Sequence, residues 1–236
     1  ENLDFALWLT CRETQDMWLP AFQRGEITFG GNFSHAVFAL KAAGNPAALQ
    51  PLVAALRDGK IAGADRPQVL QLISQMGGPA ELALLMENGA APMLDLVAQT
   101  VRTRGVRPDH AEKALAFLDH ADAAVRRSAA RLCGVLKLEP AREKLVAWLG
   151  SPSADAADVQ AAFDALVSLG GDGTRRIIAS VADKSDAPLG QRAQAVAALA
   201  AVDLGDAAKR AAALFESEAT AAVAPALFDA FVTRKD

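Results

Sequence analysis

The most informative stretch of the sequence is Asp122–Leu132, DAAVRRSAARL. Its apolar residues recur at steps of three and four, as in Val125, Ala129 and Leu132, and this spacing places them on one face of an α-helix. Weaker copies of the same pattern occur at Asp158–Gln160 and Gln191–Ala193. The recurrence indicates that one helical unit is repeated along the chain.

Turns followed by helical patterns recur at a nearly constant spacing. The second residues of these turns lie at positions 46, 79, 108, 140, 172 and 205, so the intervals are 33, 29, 32, 32 and 33. Four of the six are proline, which suits the first turn of a helix because its missing N–H would have no partner there. Each turn therefore marks the second helix, B, of a pair. The first helices, A, include segments at Phe33–Ala43, Ala123–Leu136, Val159–Leu169 and Gln191–Val202.

The repeats predict one elongated domain over residues 1–236. The start at Glu1 rather than Met is interpreted as a sign that this domain was excised from a larger protein. We expect about seven A/B pairs, the first at Leu3–Arg24, and a lone final helix from about Ala221 to Thr233. A pair of this size cannot bury its apolar face alone, so neighbouring pairs must stack on one another. The longer connections at Gly25–Asn32, Asp58–Asp65 and Ser151–Ala154 are expected to be loops between repeats.

Composition favours helices and gives no global attraction to polyanions. Hydrophobic residues make up 52% of the chain, aromatic residues only 6%, and tyrosine is absent. The apolar content is therefore mostly Ala, Leu and Val, which suits closely packed helices better than strands. The formal net charge is −4, which argues against general binding to DNA, RNA or an anionic membrane. No apolar stretch approaches the roughly 20 residues of a membrane span.

The repeat resembles the HEAT family more than other helical repeats of similar length. A period near 32 also fits ankyrin and tetratricopeptide repeats. The ankyrin Thr-Pro-Leu-His motif is absent, and the tetratricopeptide Trp/Tyr pattern cannot be met without tyrosine. Asp122–Leu132 resembles the Asp-x-x-Val-Arg-x-x-Ala-x-x-Ala/Leu core of HEAT repeats. This resemblance implies an all-α fold, a right-handed α-solenoid of HEAT-like helix pairs, armadillo-like in architecture.

A second resemblance covers most of the chain. Residues Asn2–Thr10 and Trp18–Ala21 are similar to the start of a HEAT-like segment in large planctomycete and verrucomicrobial proteins, membrane-bound dehydrogenase/haem-binding proteins. Those proteins have a dehydrogenase-like propeller before the segment and a Cys-x-x-Cys-His haem domain after it. This sequence contains no Cys-x-x-Cys-His, so the haem and redox roles do not carry over. The resemblance implies a spacer or docking role and favours an extracytoplasmic, periplasmic location over a cytoplasmic one.

The residues that usually carry catalysis or metals do not form a site pattern. Cys11 and Cys133 both lie in apolar helical patterns and are expected to be buried free thiols rather than a disulfide or metal ligands. His35, His110 and His120 are expected at the surface or at helix caps, since no His-Glu dipeptide of the HEAT-like iron hydroxylases occurs. No Gly-x-Ser-x-Gly, Walker or dinucleotide motif is present. We therefore expect no catalytic residue, no metal and no cofactor.

A basic row is the main candidate for a binding surface. Four residues occupy equivalent positions of successive B segments, at intervals of 31, 32 and 33: Lys113, Lys144, Arg176 and Lys209. Stacked repeats would align them on the concave side, which B helices line in HEAT-like solenoids, and Arg142, Arg175 and Arg210 would broaden the row. The functional interpretation is docking of an acidic protein tail, a sulfated or carboxylated glycan or a phosphate backbone. The alternative is a solvated face with local pairs such as Glu143 with Lys144. The lack of interleaved aromatics argues against nucleic acid.

A second row lies on the A segments and is expected to be structural. Arg126, Gln160 and Arg192 follow one another at intervals of 34 and 32. In HEAT repeats the equivalent arginine pairs with an aspartate of a neighbouring repeat, and Asp122, Asp155 and Asp158 are available for this. Such a polar ladder can fix the register between repeats. Trp8 and Trp148 lie in apolar patterns and are expected in the core.

These observations predict a monomeric, non-catalytic scaffold or protein-interaction module. It would dock a separate protein partner or set the distance between flanking domains. The alternative is a module that binds an anionic polymer, a sulfated glycan or nucleic acid, through the basic row on the B helices.

Overall fold

A computed structural model describes residues 2–61, 63–151, 154–217 and 224–232. These residues form α-helices and 3₁₀ helices joined by short connections, and no strand occurs among them. The prediction of an all-α fold is therefore confirmed. The α-helices in chain order are α1 Asn2–Glu13, α2 Gln15–Gln23, α3 Phe33–Ala43, α4 Gln50–Arg57, α5 Asp65–Met76, α6 Pro79–Glu87, α7 Ala91–Arg104, α8 Ala123–Val135, α9 Ala141–Gly150, α10 Ala156–Leu169, α11 Asp172–Ala182, α12 Leu189–Leu199, α13 Leu204–Ser217 and α14 Ala224–Val232. The 3₁₀ helices are Phe29–Gly31, Pro46–Leu49 and Ala111–Asp119.

Polar side chains before several helices explain where those helices begin. The Asn32 carboxamide oxygen accepts from the His35 amide and caps α3, and Asp122 accepts from the Ala124 amide and caps α8. Asp155 caps α10 in the same way by accepting from the Asp158 amide. These caps satisfy amides at the first turn that have no intrahelical partner.

The A segments predicted from periodicity are confirmed as α3, α8, α10 and α12. Helix α3 has the predicted bounds, and α12 ends three residues early, at Leu199, because the chain enters a turn at Ala200. The final helix is confirmed over Ala224–Val232. Residues 221–223 and 233 of that prediction lie outside the described residues, as do residues 62, 152 and 153 of the predicted loops.

Two B segments depart from the prediction of an α-helix. The segment at Pro46 begins as the 3₁₀ helix Pro46–Leu49 and continues as α4. The segment after Pro108 is a 3₁₀ helix of nine residues, Ala111–Asp119, preceded by His110 with a left-handed φ of 52°. A 3₁₀ helix rises about 2.0 Å per residue against 1.5 Å for an α-helix, so nine residues reach about 18 Å rather than about 14 Å. The longer rise lets a short segment cover the length of a longer α-helix. Apolar periodicity at steps of three and four does not distinguish these two helix types.

The described helices belong to two compact units. The first comprises Glu1–Asn88 and Gln99–Ala111, and the second comprises Gly89–Ala98 and Glu112–Asp236. In the first unit α3 packs between α1 and α5, and its fully buried side chains include Leu40, Leu72 and Leu82. In the second unit α10 packs between α8 and α12, and α12 also contacts α14. The single domain over residues 1–236 stays a prediction.

Helices α8 and α10 pack very closely because the facing residues are small. A Cβ atom on Gly134 would lie 2.7 Å from the Ala165 carbonyl oxygen and 2.9 Å from its Cα. Ala129, Ala130 and Ala165 are fully buried on the two helices. This contact brings the polar edges of α8 and α10 within hydrogen-bonding range of each other.

Candidate functional site

The second unit carries a groove of about 470 Å³ across the A helices α7, α8 and α10. We refer to it as the A-helix groove. It is lined by Ala91, Pro92, Asp95, Ala124, Arg127, Ser128, Arg131, Ala157, Gln160, Ala161 and Asp164. Neither the basic row nor the predicted ladder, apart from Gln160, lines this groove.

Equivalent positions of consecutive A helices build the groove. Its small residues Ala91, Ala124 and Ala157 follow one another at intervals of 33 positions. Arg131 and Asp164 are also 33 positions apart. These lining residues thus recur at the interval predicted for the repeats, and the small side chains at three of the positions leave the groove open.

An ion pair between Arg131 and Asp95 joins helices α7 and α8, and Ser128 forms a hydrogen bond with each of them. Arg131 donates from Nε to Asp95 Oδ1 at 3.0 Å and from Nη2 to Asp95 Oδ2 at 3.1 Å. The buried Ser128 hydroxyl donates to the same Asp95 Oδ2 at 2.9 Å and accepts from Arg131 Nη2 at 3.0 Å. A fork-to-fork arginine–carboxylate pair fixes both side chains in one geometry.

Helices α8 and α10 are joined by Arg127. Its Nε donates to Asp158 Oδ1 at 2.7 Å, and its Nη2 donates to Asp155 Oδ2 at 2.6 Å. The hydrogen bond with Asp158 raises the pKa of Arg127. The Asp158 backbone amide, with the Arg127 charge adding to it, lowers the pKa of Asp155. Both residues are thereby held in their charged forms.

Part of the hydrogen-bonding capacity in the groove is unused. Arg127 and Arg131 bond through Nε and Nη2, and neither Nη1 has a hydrogen-bond partner among the described residues. Across the groove the exposed Gln160 amide donates to Asp164 Oδ1 at 2.9 Å. The groove therefore offers both donors and carboxylate acceptors.

The basic row lies on the B helices of the second unit in mixed surroundings. Lys113 is exposed on the 3₁₀ helix Ala111–Asp119, and Lys144 of α9 forms an ion pair with Asp119. Arg176 of α11 and Lys209 of α13 are exposed and have no ion-pair partner in the part of the chain that the structure describes. The binding role of these four residues stays a prediction.

The three arginines expected to broaden the row are engaged in links between helices. Arg142 donates to Thr174 Oγ1 at 2.6 Å and to the Gly170 carbonyl at 3.0 Å. Arg175 pairs with Asp203 at 3.0 Å, and Arg210 pairs with both Asp206 and Asp183. Aspartates therefore partly neutralise the charges of Arg175 and Arg210, and Glu139 does the same for Arg142.

The residues of the predicted ladder have separate partners. Arg126 donates from Nη1 to the carbonyls of His120 at 3.0 Å and Ala121 at 2.9 Å, and its Nη2 lies 3.6 Å from Asp158 Oδ2. Gln160 bonds within its own helix, as described above. Arg192 donates to the Ala182 carbonyl at 3.3 Å. Arg127 makes the shortest ion pairs between α8 and α10. The motif had predicted this role for the preceding residue, Arg126.

The remaining predicted residues are distributed through both units. Cys11 and Cys133 are free thiols, the first half-buried and the second buried, and burial raises the pKa of Cys133 to about 12. His120 Nδ1 accepts from the Asp122 amide at 3.1 Å, next to the start of α8. Among the described residues no group of three or more His, Cys, Asp or Glu side chains is arranged to hold a metal ion.

The two tryptophans predicted in the core are only half-buried. Trp8 stacks on Phe5 and carries the Arg12 guanidinium 5.1 Å from its ring centroid. Trp148 is also partly exposed. Both tryptophans are half-buried for the same reason, because a large aromatic ring at the edge of a helix pair keeps one face in solvent.

The first unit contains an apolar groove that the sequence reading missed. It has a volume of about 500 Å³, and Leu7, Cys11, Phe29 and Phe38 are among its lining residues. Helix α1 beside it has no buried residue, and Leu3 is 71% exposed. The sequence indicates such a surface, because apolar residues lie on all sides of α1 instead of on one face.

The fold and the A-helix groove define an all-helical protein with a preorganised polar surface on its A helices. No protein-family model, curated protein or solved structure matches the chain. Within the described residues, no helix combines the length and the apolar character needed to cross a membrane.

Proposed function

We propose that the chain is a HEAT-like right-handed α-solenoid that acts as a non-catalytic protein-interaction module. It docks a partner protein or spaces flanking domains. The observation that carries this proposal is a group of side-chain hydrogen bonds between helices whose sequence separations are close to the predicted repeat period. Residues in successive repeats meet at the period of the sequence, as stacked repeats require.

These contacts occur within each unit. Five of them have separations of 31 to 33 residues: Ser34–Asp65 and Gln50–Glu81 in the first unit, and Asp95–Ser128, Arg127–Asp158 and Arg142–Thr174 in the second. Other links between helices, such as Lys144–Asp119 and Arg131–Asp95, have separations of 25 and 36 residues. A repeat array keeps equivalent side chains on its surface at regular intervals, and such surfaces suit extended partners. The A-helix groove is a surface of this type.

The pKa shifts of two carboxylates argue against either of them as a general acid or base. Glu139 and Asp155 both have a lowered pKa, the first because Arg142 donates to it and the second because of the Asp158 amide and Arg127. These shifts keep the carboxylates charged at neutral pH. A general acid or base needs a pKa near the working pH, which is a shift in the opposite direction for a carboxyl group.

A display experiment tests the proposed function. The intact chain is immobilised and presented with a library of random twelve-residue peptides, and enriched sequences are resynthesised for titration. We expect a recurrent peptide motif that binds the folded chain in the micromolar range, the affinity of a short segment on a small surface. Absence of any recurrent motif over several rounds would contradict an interaction module.

A second candidate function is binding of an anionic polymer through the basic row. The exposed positions of Arg176 and Lys209 favour it. In titrations with heparin and with duplex DNA, Arg176→Glu/Lys209→Glu should weaken binding and reduce its salt dependence if the row is the site. The matched control is Lys41→Glu/Arg57→Glu, which makes the same charge change at two exposed positions of the first unit. Equal loss in both double variants would show that only net charge matters.

A further inference from the structure

We infer that the connection between α6 and α7 carries a site of spontaneous deamidation and isomerisation at Asn88–Gly89. The chain contains four asparagines, Asn2, Asn32, Asn45 and Asn88, and only Asn88 is followed by glycine. Glycine has no side chain to hinder attack of its backbone nitrogen on the preceding carboxamide. This modification is a property of the chain itself and does not depend on the proposed binding function.

The chemistry at this site requires only water and a base. The Gly89 backbone nitrogen, after losing its proton to hydroxide, attacks Cγ of Asn88, and ammonia leaves to give a five-membered cyclic imide. Water then opens the imide at one of its two carbonyl carbons. Opening at Cγ gives aspartate, and opening at the main-chain carbonyl carbon gives isoaspartate, whose backbone passes through Cγ. Either product has a carboxylate in place of the carboxamide.

The side chain of Asn88 is available for this reaction. Asn88 is exposed at the C-terminal end of α6, and its carboxamide has no hydrogen-bond partner among the described residues. The Asn32 carboxamide oxygen instead accepts from the His35 amide and is held at the start of α3. Asn45 precedes Pro46, whose nitrogen has no proton to lose. Of these three asparagines, only Asn88 combines a free side chain with a following N–H group.

The amide of Gly89 is also unbonded, unlike those of other glycines that follow helices. Gly89 has a φ of 66°, and its N–H has no hydrogen-bond partner in the part of the chain that the structure describes. Four other glycines with a left-handed φ donate back to a carbonyl of the preceding helix: Gly25 to Phe22 at 2.9 Å, Gly44 to Leu40 at 3.0 Å, Gly59 to Leu56 at 3.2 Å and Gly105 to Val101 at 2.9 Å. Such a bond holds the amide proton and fixes the nitrogen, so its absence favours reaction at Gly89.

The backbone of Asn88 must rotate before the ring can close. Its angles are helical, with φ −61° and ψ −25°, and rotation about ψ brings the Gly89 nitrogen to the side of Cγ. Asn88 flanks the last turn of α6, and helix ends fray. Because no hydrogen bond from Gly89 opposes the rotation, folding slows the reaction relative to the unfolded chain without preventing it.

The product has one more negative charge than the fresh chain. The formal net charge changes from −4 to −5 for each modified chain. The new carboxylate lies at the C-terminal end of α6, where the helix dipole disfavours an anion. The modified chain should therefore elute later from an anion-exchange column, which separates it for further measurement.

Incubation of the intact chain at pH 8 and 37 °C tests the site. Peptide mapping by mass spectrometry should show the mass gain of replacing NH₂ by OH at Asn88, with ammonia released in equal amount. A protein isoaspartate methyltransferase with S-adenosylmethionine should methylate the isoaspartate product at the same position. Asn32 and Asn45 are internal references in the same sample and should keep their carboxamides.

Two variants separate the effect of structure from that of sequence. Asn88→Gln keeps a carboxamide but needs a six-membered ring, so release of ammonia should stop. Asp58→Asn places a second Asn–Gly pair at the equivalent end of α4, where the Gly59 amide donates to the Leu56 carbonyl. In the folded variant, position 58 should react about three- to tenfold more slowly than Asn88, the factor that one net hydrogen bond provides. After unfolding in guanidinium chloride, both positions should react at the same rate.

Circular dichroism verifies that both variants are folded, since positions 58 and 88 are exposed. Faster reaction at Asn88 than at position 58, with equal rates after unfolding, would support the inference. Equal rates in the folded variant would overturn the role of the unbonded Gly89 amide. An intact Asn88 in the folded chain, under conditions that convert it in the unfolded chain, would overturn the site itself.

Discussion

At the scale of single residues, burial and local hydrogen bonds set the chemical state of the ionisable groups. Cys133 lies fully buried on α8, where burial raises the pKa of its thiol. Asp155 stands at the start of α10, where a backbone amide and an arginine hold its carboxylate in the charged form. The surroundings thus disfavour the charged form of Cys133 and favour the charged form of Asp155. Solution experiments can measure both effects.

The two thiols should differ strongly in reactivity. The pKa of Cys133 is about 12, so only about one thiol in 10⁴ is ionised at pH 8, and the thiolate is the reacting form. Alkylation of the folded chain with iodoacetamide, followed by mass spectrometry, should modify Cys11 and leave Cys133 intact. Both should react after unfolding in guanidinium chloride. Equal rates in the folded chain would contradict the buried position of Cys133.

Asp155 should make stability depend on pH in the acidic range. Its pKa is lowered in the folded chain, so its contribution is fully present above the unfolded value near 4 and is lost as the pH falls through the folded value. Asp155→Asn removes this contribution. The difference in the free energy of unfolding between wild type and variant should therefore be larger at pH 7 than at pH 2.5, as measured by urea denaturation. A constant difference would contradict the assignment.

At the scale of helices, the contact between α8 and α10 positions the A-helix groove. Gly134 allows the two backbones to approach, and Arg127 links the helices at the edge of the same contact. Apolar packing thus sets the distance, and the ion pairs set the register. Each contribution can be removed separately.

Adding one methyl group at Gly134 should destabilise the chain. The new Cβ of Gly134→Ala would meet the Ala165 backbone at under 3 Å, and overpacking of this kind costs about 1–3 kcal/mol. Gly190→Ala on α12 is the matched control, because nothing lies within 4 Å of a Cβ there. It should be neutral or stabilising by up to about 1 kcal/mol. Thermal unfolding of the two variants measures both effects, and equal melting temperatures would contradict the close approach.

The pair Arg127–Asp158 should show a measurable coupling energy. Both side chains are largely shielded, with 25% and 12% of their areas exposed. Arg127→Leu alone leaves the Asp158 carboxylate with its weaker neighbour Arg126, and it should cost about 2 kcal/mol. A double-mutant cycle with Asp158→Leu should give a coupling of about 1–2 kcal/mol. Additive single effects would show that the pair does not hold α8 against α10.

The sequence predicted helices better than it predicted the site. Periodicity and the preceding polar residues located α3, α8 and α10, because local interactions determine both. The 3₁₀ helix Ala111–Asp119 was missed, since its apolar spacing fits either helix type. The motif highlighted Arg126, yet Arg127 makes the close link to α10. Neighbouring residues differ by 100° around a helix, and only the packing of α8 on α10 selects between them.

At the scale of the whole molecule, the two units share a type of helix contact. In each, A helices pack on A helices, and polar side chains bond across one period of the sequence. The A-helix groove and the basic row lie on different helices of the second unit, the first on α7, α8 and α10, and the second on the 3₁₀ helix and on α9, α11 and α13. We propose that the A helices carry the binding surface.

Hydrogen exchange of the intact chain, with and without the tightest-binding peptide from the random library, tests this proposal most directly. Exchange is compared helix by helix at a peptide concentration well above its dissociation constant. The account predicts slower exchange in the first turns of α8 and α10, with α9, α11 and α13 unchanged. Protection confined to α9, α11 and α13, or no protection in either set, would contradict it.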